Sequence, residues 1–383
     1  MIDDLVVQRP EGLYCPLGRF HIDPWRPVER AVITHAHGDH ARPGHGAYLA
    51  SAVSAGVLRA RLGESISLQG LAYGEALQIG GVRVSLHPAG HVLGSAQVRI
   101  EDTSAAGSGG RGRVWVASGD YWLSGHEGEH NATCAPFEPL RCDCFISEST
   151  FGLPIYRWRP QAEVLGEINA WWQGNAAAGR ASLLLGYSFG KAQRLLAGVD
   201  ASIGPIAVHG AVEPLNEAYR AAGVALPPTR TVPELRAAKS LAGALVLAPP
   251  AVLGSAWARS LGEHGDAFAS GWMQLRGARR RQGVDRGFVL SDHADWPGLQ
   301  RAIAATGAGR VIVTHGYEAV MVRWLAEQGL EAGSFHTEFG DEALQEGAPL
   351  GEGAAASAAA AGAAADAGVD GDDAALRGPV PAP

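Results

Sequence analysis

The sequence predicts an α/β protein interrupted by a second α/β segment. Three observations carry this expectation. Short Val/Ile-rich runs recur and end in polar residues at Gly or Pro boundaries. Between 155 and 285 the pattern changes to helix-like stretches alternating with uninterrupted apolar runs. At 383 residues the chain is long enough for two domains, or for one large domain with an insertion.

Taken in order, the strand-like runs are RAVITH (30–35), VRVSLHP (82–88), VWVASGD (114–120), CFISEST (144–150), GFVLSDH (287–293) and RVIVTHG (310–316). Each is apolar and β-branched before its polar end, as a half-buried or fully buried strand requires. In the middle segment, AEVLGEINAWWQ (162–173) and KAQRLLAGV (191–199) read as helices. SLLLGY (182–187), PIAVHG (205–210) and ALVLAPP (244–250) read as strands buried on both faces. Helices alternating with such strands imply a parallel sheet. DTSAAGSGGRGR (102–113) reads as a hairpin loop and LSGHEGEHNAT (123–133) as a second loop. Residues from about 346 onward are Ala/Gly-rich with almost no aromatic side chains, so they are expected to form a disordered tail.

Composition narrows the function classes. With 46% hydrophobic residues a sizeable core is available, yet no apolar run approaches the roughly 20 residues that span a bilayer. The start, MIDDLVVQRP, lacks a basic segment followed by an apolar one, so no signal peptide is expected. Cys15, Cys134, Cys142 and Cys144 show no CxxC pair and are expected as buried thiols. These readings point to a soluble, reduced, cytoplasmic protein. Net charge is −8, but five acidic residues against Arg377 place −4 of it in 351–383. The remaining −4 would be cancelled by two divalent cations, so charge does not exclude a phosphate-rich substrate.

The densest chemistry lies in ITHAHGDH (33–40), where His35, His37, Asp39 and His40 follow an apolar run. Alternate residues past a strand end share a face, so His35 and His37 can address one metal while Asp39 and His40 turn to another. Imidazole and carboxylate suit zinc, which takes about four ligands per site. Other strand ends must complete the sets, and His91, Asp120 and His315 stand at three of them.

This HxHxDH loop resembles the signature of the metallo-β-lactamase superfamily. ISESTFG (146–152), SDHAD (291–295) and VTHGY (313–317) resemble the motifs of its β-CASP nuclease group, and FGKAQR (189–194) resembles the opening of that group's first cap helix. GLYCP, IDPWRPV, THAHGDHARPGH, SGDYW and CAPFEP resemble the bacterial ligase-associated DNA exonuclease branch. The resemblance implies an αββα sandwich over 1–155 and 286–345, with a β-CASP cap over 156–285 and the tail over 346–383.

It also implies roles. His35, His37 and His91 would hold one zinc ion, Asp39, His40 and His315 a second, and Asp120 would bridge them. Manganese is compatible with the same donors. Asp23 would brace the ligand loop. His293 would contact the scissile phosphate or protonate the leaving oxygen, with Glu148 orienting it. Catalysis would rest on Asp120, His293 and Glu148. Lys191, Arg194, Arg279, Arg280 and Arg281 are candidate phosphate contacts. Trp171, Trp172 and Trp272 are expected in packing, and His126, His130 and His209 in no specific binding.

The implied activity is a metal-dependent DNA exonuclease in repair, linked to a DNA ligase and a helicase. RNA processing is the alternative, because His315 stands where RNA-cutting members of the group carry His and well-known DNA-cutting members often carry Val. Lactamases and thioesterases need neither Glu148, His293 nor a cap. Di-iron oxidoreductases usually carry Glu where His37 stands. An inactive nucleic-acid-binding paralogue would have broken ligand sets.

Overall fold

The computed structural model describes residues 4–104, 112–275, 277 and 283–338. Arg279, Arg280 and Arg281, and the tail expected from 346, lie outside the described residues.

The first sheet has six strands in sequence order: β1 (Val7–Arg9), β2 (Gly12–Cys15), β3 (Phe20–Ile22), β4 (Arg30–Val32), β5 (Ala47–Ser51) and β6 (Leu68–Leu71). β1 to β3 pair antiparallel and β3 to β6 parallel. The second sheet contains β7 (Ala76–Ile79), β8 (Val82–Pro88), β9 (Ala96–Asp102), β10 (Val114–Ala117) and β11 (Cys144–Ser149). The third sheet follows, with β12 (Ala181–Leu185), β13 (Ile206–Val208), β14 (Arg230–Thr231), β15 (Leu245–Ala248), β16 (His264–Ala269) and β17 (Arg286–Phe288). The chain then returns to the second sheet through β18 (Arg310–Gly316) and β19 (Glu331–Ser334), giving the order β19-β18-β11-β10-β9-β8-β7.

The first two sheets pack face to face. Phe20, Ile22, Val32 and Leu49 from one meet Val84, Val98, Trp115 and Ile146 from the other in a shared core. Helices cover both outer faces. On the second sheet, helices Trp296–Thr306 and Glu318–Glu327 bury Leu299, Ile303, Met321 and Leu325 against Val116, Phe145 and Val311. On the first, helix Ala55–Leu62 buries Val57 and Leu58 against Ala31 and Tyr48, joined by Leu215 and Tyr219 of helix Glu213–Ala221.

The third sheet is wholly parallel, in the order β14-β13-β15-β12-β16-β17. SLLL packs Leu184 on one face and Leu183 and Leu185 on the other, so β12 is buried throughout. Helix Gln161–Ala177 lies on one face, where Trp172 is fully buried and its indole N–H donates to the Gly243 carbonyl (2.9 Å). Of the run 287–293, only Gly287 and Phe288 belong to a strand, and β17 pairs with β16 in this third sheet. Leu290 to His293 form irregular chain leading back to the second sheet.

Topology places the site. β8, β10, β11 and β18 point the same way, since β8 and β10 each pair antiparallel with β9 and the rest run parallel. His91, Asp120, Glu148 and His315 therefore gather at one edge of the sandwich. A register shift between β11 and β18 puts the extra residue on β18, between Val313 and Gly316. Such a bulge re-aims side chains, and here Thr314 and His315 occupy it.

Candidate metal centre

Four imidazoles converge on Asp120. Its Oδ2 lies 3.3 Å from His35 Nε2, 3.5 Å from His40 Nε2 and 3.8 Å from His91 Nε2, and its Oδ1 lies 3.2 Å from His315 Nε2. His37 Nδ1 faces His91 Nε2 at 3.1 Å. Asp39 Oδ2 stands 3.7 Å from His40 Nε2. All seven expected ligands thus come together. Asp120, His35, His40 and His91 are almost completely buried.

The opposite nitrogen of each ring is committed to an acceptor. His40 Nδ1 donates to Asp23 Oδ2 (2.8 Å), His91 Nδ1 to the Asp292 carbonyl (2.7 Å) and His37 Nε2 to the Phe189 carbonyl (3.3 Å). The Thr34 hydroxyl donates to Asp23 and so accepts from His35 Nδ1 (3.0 Å). The Thr314 hydroxyl donates to the Ser147 carbonyl and accepts from His315 Nδ1 (3.0 Å). On each ring, once neutral, the lone pair therefore falls on the nitrogen that faces the cluster around Asp120 and His91, as metal binding requires. His35 Nε2 is buried and makes no hydrogen bond. A cation answers that arrangement, so the donor set fits a bound metal ion.

The electrostatics agree. Burial, reinforced by neighbouring histidines, pushes His35 well below the ordinary imidazole value and His91 down to about 3. Burial also acts downward on His40, but Asp120, Asp39 and Asp23 outweigh it and raise the ring to about 10. His315 is raised, its bond to Asp120 overcoming burial. Burial would raise Asp120, yet His40 and His35 hold it well below the carboxylate range. Without metal the pocket thus keeps protons on particular rings, and a metal ion must displace them.

Asp23 adopts a left-handed backbone (φ +43°), which an Asp tolerates only at some cost. That turn lets one carboxylate accept from Thr34 N–H (2.8 Å), the Thr34 hydroxyl and His40. Asp23 therefore braces two ligand histidines. Gly119 (φ +57°) is needed beside them, because a Cβ there would lie 2.6 Å from Thr34 Cβ.

Glu148 and His293 form a second buried unit. His293 Nδ1 donates to Glu148 Oε2 (2.9 Å), and Glu148 Oε1 accepts from Tyr121 N–H (2.7 Å). Glu148 also lies within ligand distance of Asp120 and His315, but both its oxygens are already engaged. The His293 ring sits 4.7 Å from the His91 ring, and the Trp158 indole N–H donates to the His293 carbonyl (2.9 Å).

Lys191 and Arg194 lie in the interior, 2% and 3% exposed, where both pair with Asp292 (3.0 and 3.1 Å). A lone buried carboxylate draws them inward, since an unpaired charge there would be costly. Trp172 and Trp272 are buried in packing. His209 packs on Trp257, and the His126 ring bonds the Trp158 carbonyl at the surface. All four cysteines are free. Asp292, Thr34 and Thr314 were not singled out from the sequence. A signal for the threonines was present, because Thr precedes His in both ITH and VTH. Asp295, also in SDHAD, caps helix Trp296–Thr306 by accepting Gly298 N–H (2.8 Å).

No family model matches the chain. It is 34% identical over 327 residues, 85% of its length, to a protein from Opitutus terrae named probable DNA ligase. It is 33% identical over 128 residues, a third of its length, to the endoribonuclease YSH1 of Candida albicans. The chain spans 30% of the first relative's length and 13% of the second's. Its fold is similar to a crystal structure of a protein of unknown function from Enterococcus faecalis V583, at 14% identity and a TM-score of 0.53 over 81% of this chain and 80% of that one. Among the described residues, no helix is long and apolar enough to cross a membrane.

Proposed function

We propose that this protein is a two-zinc phosphodiesterase that removes nucleotides from DNA ends, working in the cytoplasm alongside a DNA ligase and a helicase in repair. The observation that carries the metal reading is the set of five imidazoles, each tied on its far side, four of them turned toward one shared carboxylate, Asp120, and the fifth, His37, toward His91. His35, His37 and His91 would hold one ion, Asp39, His40 and His315 the other, with Asp120 between them. In this reading the metallo-β-lactamase-type core comprises 1–155 and 286–345, and 156–285 forms a β-CASP-type cap.

Two such ions, when bound, supply Lewis acidity and a water of lowered pKa. The chain's own residues do the rest. Glu148 holds His293 through Nδ1, and the Nε2 nitrogen would pass a proton to the leaving oxygen of the scissile phosphodiester. Tyr121 N–H fixes Glu148, and Trp158 fixes the His293 backbone, so the acid is oriented before substrate arrives. Burial of Asp120 and the histidines keeps bulk water from competing.

The DNA reading draws support from the relative named as a ligase. A second reading, RNA cleavage, draws support from the relative named as an endoribonuclease and from His315. The deciding experiment digests end-labelled single- and double-stranded DNA and RNA with zinc- or manganese-loaded and metal-stripped protein. Metal-dependent release of nucleotides from DNA ends is expected. Cleavage confined to RNA would replace the reading, and no cleavage of either polymer would refute it.

A further inference from the structure

The histidines of the proposed centre are not all braced alike. His35 and His40 are held by Thr34 and Asp23, and His315 by Thr314, all beside the strands of the two packed sheets. His37 and His91 are held by chain that lies outside the strands of those two sheets. The acceptor on His37 Nε2 is the carbonyl of Phe189, and that on His91 Nδ1 is the carbonyl of Asp292. Phe189 lies two residues before the start of helix Lys191–Gly198, which packs on the third sheet.

Charge ties these two outside acceptors together. Asp292 Oδ2 pairs with Lys191 Nζ (3.0 Å) and Oδ1 with Arg194 Nη1 (3.1 Å). Lys191 Nζ also donates to the Leu290 carbonyl (2.9 Å), and Arg194 Nη1 to the Ser291 carbonyl (2.6 Å). The Arg194 guanidinium lies over the Trp122 ring at 4.3 Å, two residues from Asp120. Between the two acceptors, Gly190 (φ +84°) comes so near the chain that a Cβ would lie 2.3 Å from Val92 Cγ1, beside His91. One turn of helix from the inserted segment thus grips residues 290–292, whose last carbonyl holds His91, and begins just after the carbonyl that holds His37.

We propose that Lys191, Arg194 and Asp292 are positioning residues through which the inserted segment sets the metal affinity of the His35/His37/His91 site, leaving the His315 side of the centre independent of it. The proposal rests on the two-metal reading. Its physical basis is that an acceptor on the far nitrogen fixes the tautomer, orientation and basicity of a ligand imidazole. Loosening residues 290–292 frees the His91 ring to turn. His315 is braced by β18 and β11 and does not feel that change.

The test is stepwise zinc loading of the full chain in competition with a chromophoric chelator, repeated by following the absorption bands of the cobalt-loaded protein. The wild type should take up two ions. Lys191→Met and Asp292→Asn should weaken one step by roughly 10–100-fold and leave the other unchanged. Lys191→Arg, which keeps the pair with Asp292, should restore that step. Thr314→Val, which removes the acceptor on His315, should weaken the opposite step, and the double variant both. Circular dichroism of each loaded variant checks folding, and the Lys191 series stands if Asp292→Asn does not fold. A wild type that binds fewer than two ions overturns the two-metal reading and the selective loss with it. Two ions in the wild type, with both steps shifted together or neither shifted by Lys191→Met, overturns this proposal alone.

Discussion

At the scale of single residues, the proposed function assigns metal holding and proton transfer to different side chains. Asp120 lies amid four imidazoles, so Asp120→Ala is expected to abolish both metal uptake and hydrolysis. His293→Ala should keep the metal content and lose roughly 10²–10⁴ in turnover, the range of a general acid. Glu148→Gln should fall between, since the ring keeps a neutral partner. Metal analysis beside single-turnover rates separates these outcomes, and loss of an ion from His293→Ala would make His293 a ligand. The histidines also set a pH signature for the metal-free chain. His35 and His91 are depressed, so the unfolded chain takes up protons that they refuse, and their stability is lost as pH falls below 6.5. His40 is raised to about 10, so its contribution is full below 6.5 and is lost as pH rises toward 10. Stability of stripped protein should therefore peak near pH 6.5 in urea titrations. A steady rise from pH 5 to 9 would contradict the depressed and raised pair.

At the scale of elements, each ligand stands where a strand ends or bends. The turn between β3 and β4 depends on Asp23, whose carboxylate accepts three hydrogen bonds. Asp23→Ala leaves Thr34 N–H without that acceptor and frees His40. It should cost on the order of 2–3 kcal/mol in denaturant melts of stripped protein, the usual scale for orphaned buried donors, and also weaken metal binding. An unchanged melt would show that water substitutes fully. The helix opening at Gly190 is capped by Gln193, whose Oε1 accepts Gly190 N–H (2.8 Å) and whose amide donates to Asn216 (2.8 Å). The FGKAQR segment is therefore the structural join of helix, third sheet and candidate centre.

At the scale of the molecule, the centre lies where the two packed sheets meet the segment carrying the third sheet. Its proposed ligands come from parts of the chain up to 280 residues apart, from His35 to His315. Metal should therefore cross-link the fold. With free ion at about 100 times Kd, each site adds about 2.7 kcal/mol, so chelation should lower the thermal midpoint by roughly 5–10 °C. Scanning calorimetry with and without chelator checks this, and an unmoved midpoint would mean that the ions bind folded and unfolded chains alike.

By itself the sequence determined the kinds of element and which donor side chains would be brought together. Alternation in VRVSLHP and continuous apolarity in SLLL report burial on one face or two, and that is local information. HAHGDH points to a candidate metal site because it packs so many donors into so short a loop. The wider braces were decided only by tertiary structure. Lys191 and Arg194 read as candidate phosphate contacts until Asp292, about a hundred residues away, is seen to draw both into the interior. The end of β17 at Phe288 was equally out of sight, because pairing with β16 places it in the third sheet. The acceptors on His37 and His91 are backbone carbonyls, which every residue carries. Sequence cannot mark which carbonyl will be used, because that choice depends on how the inserted segment packs against the sandwich.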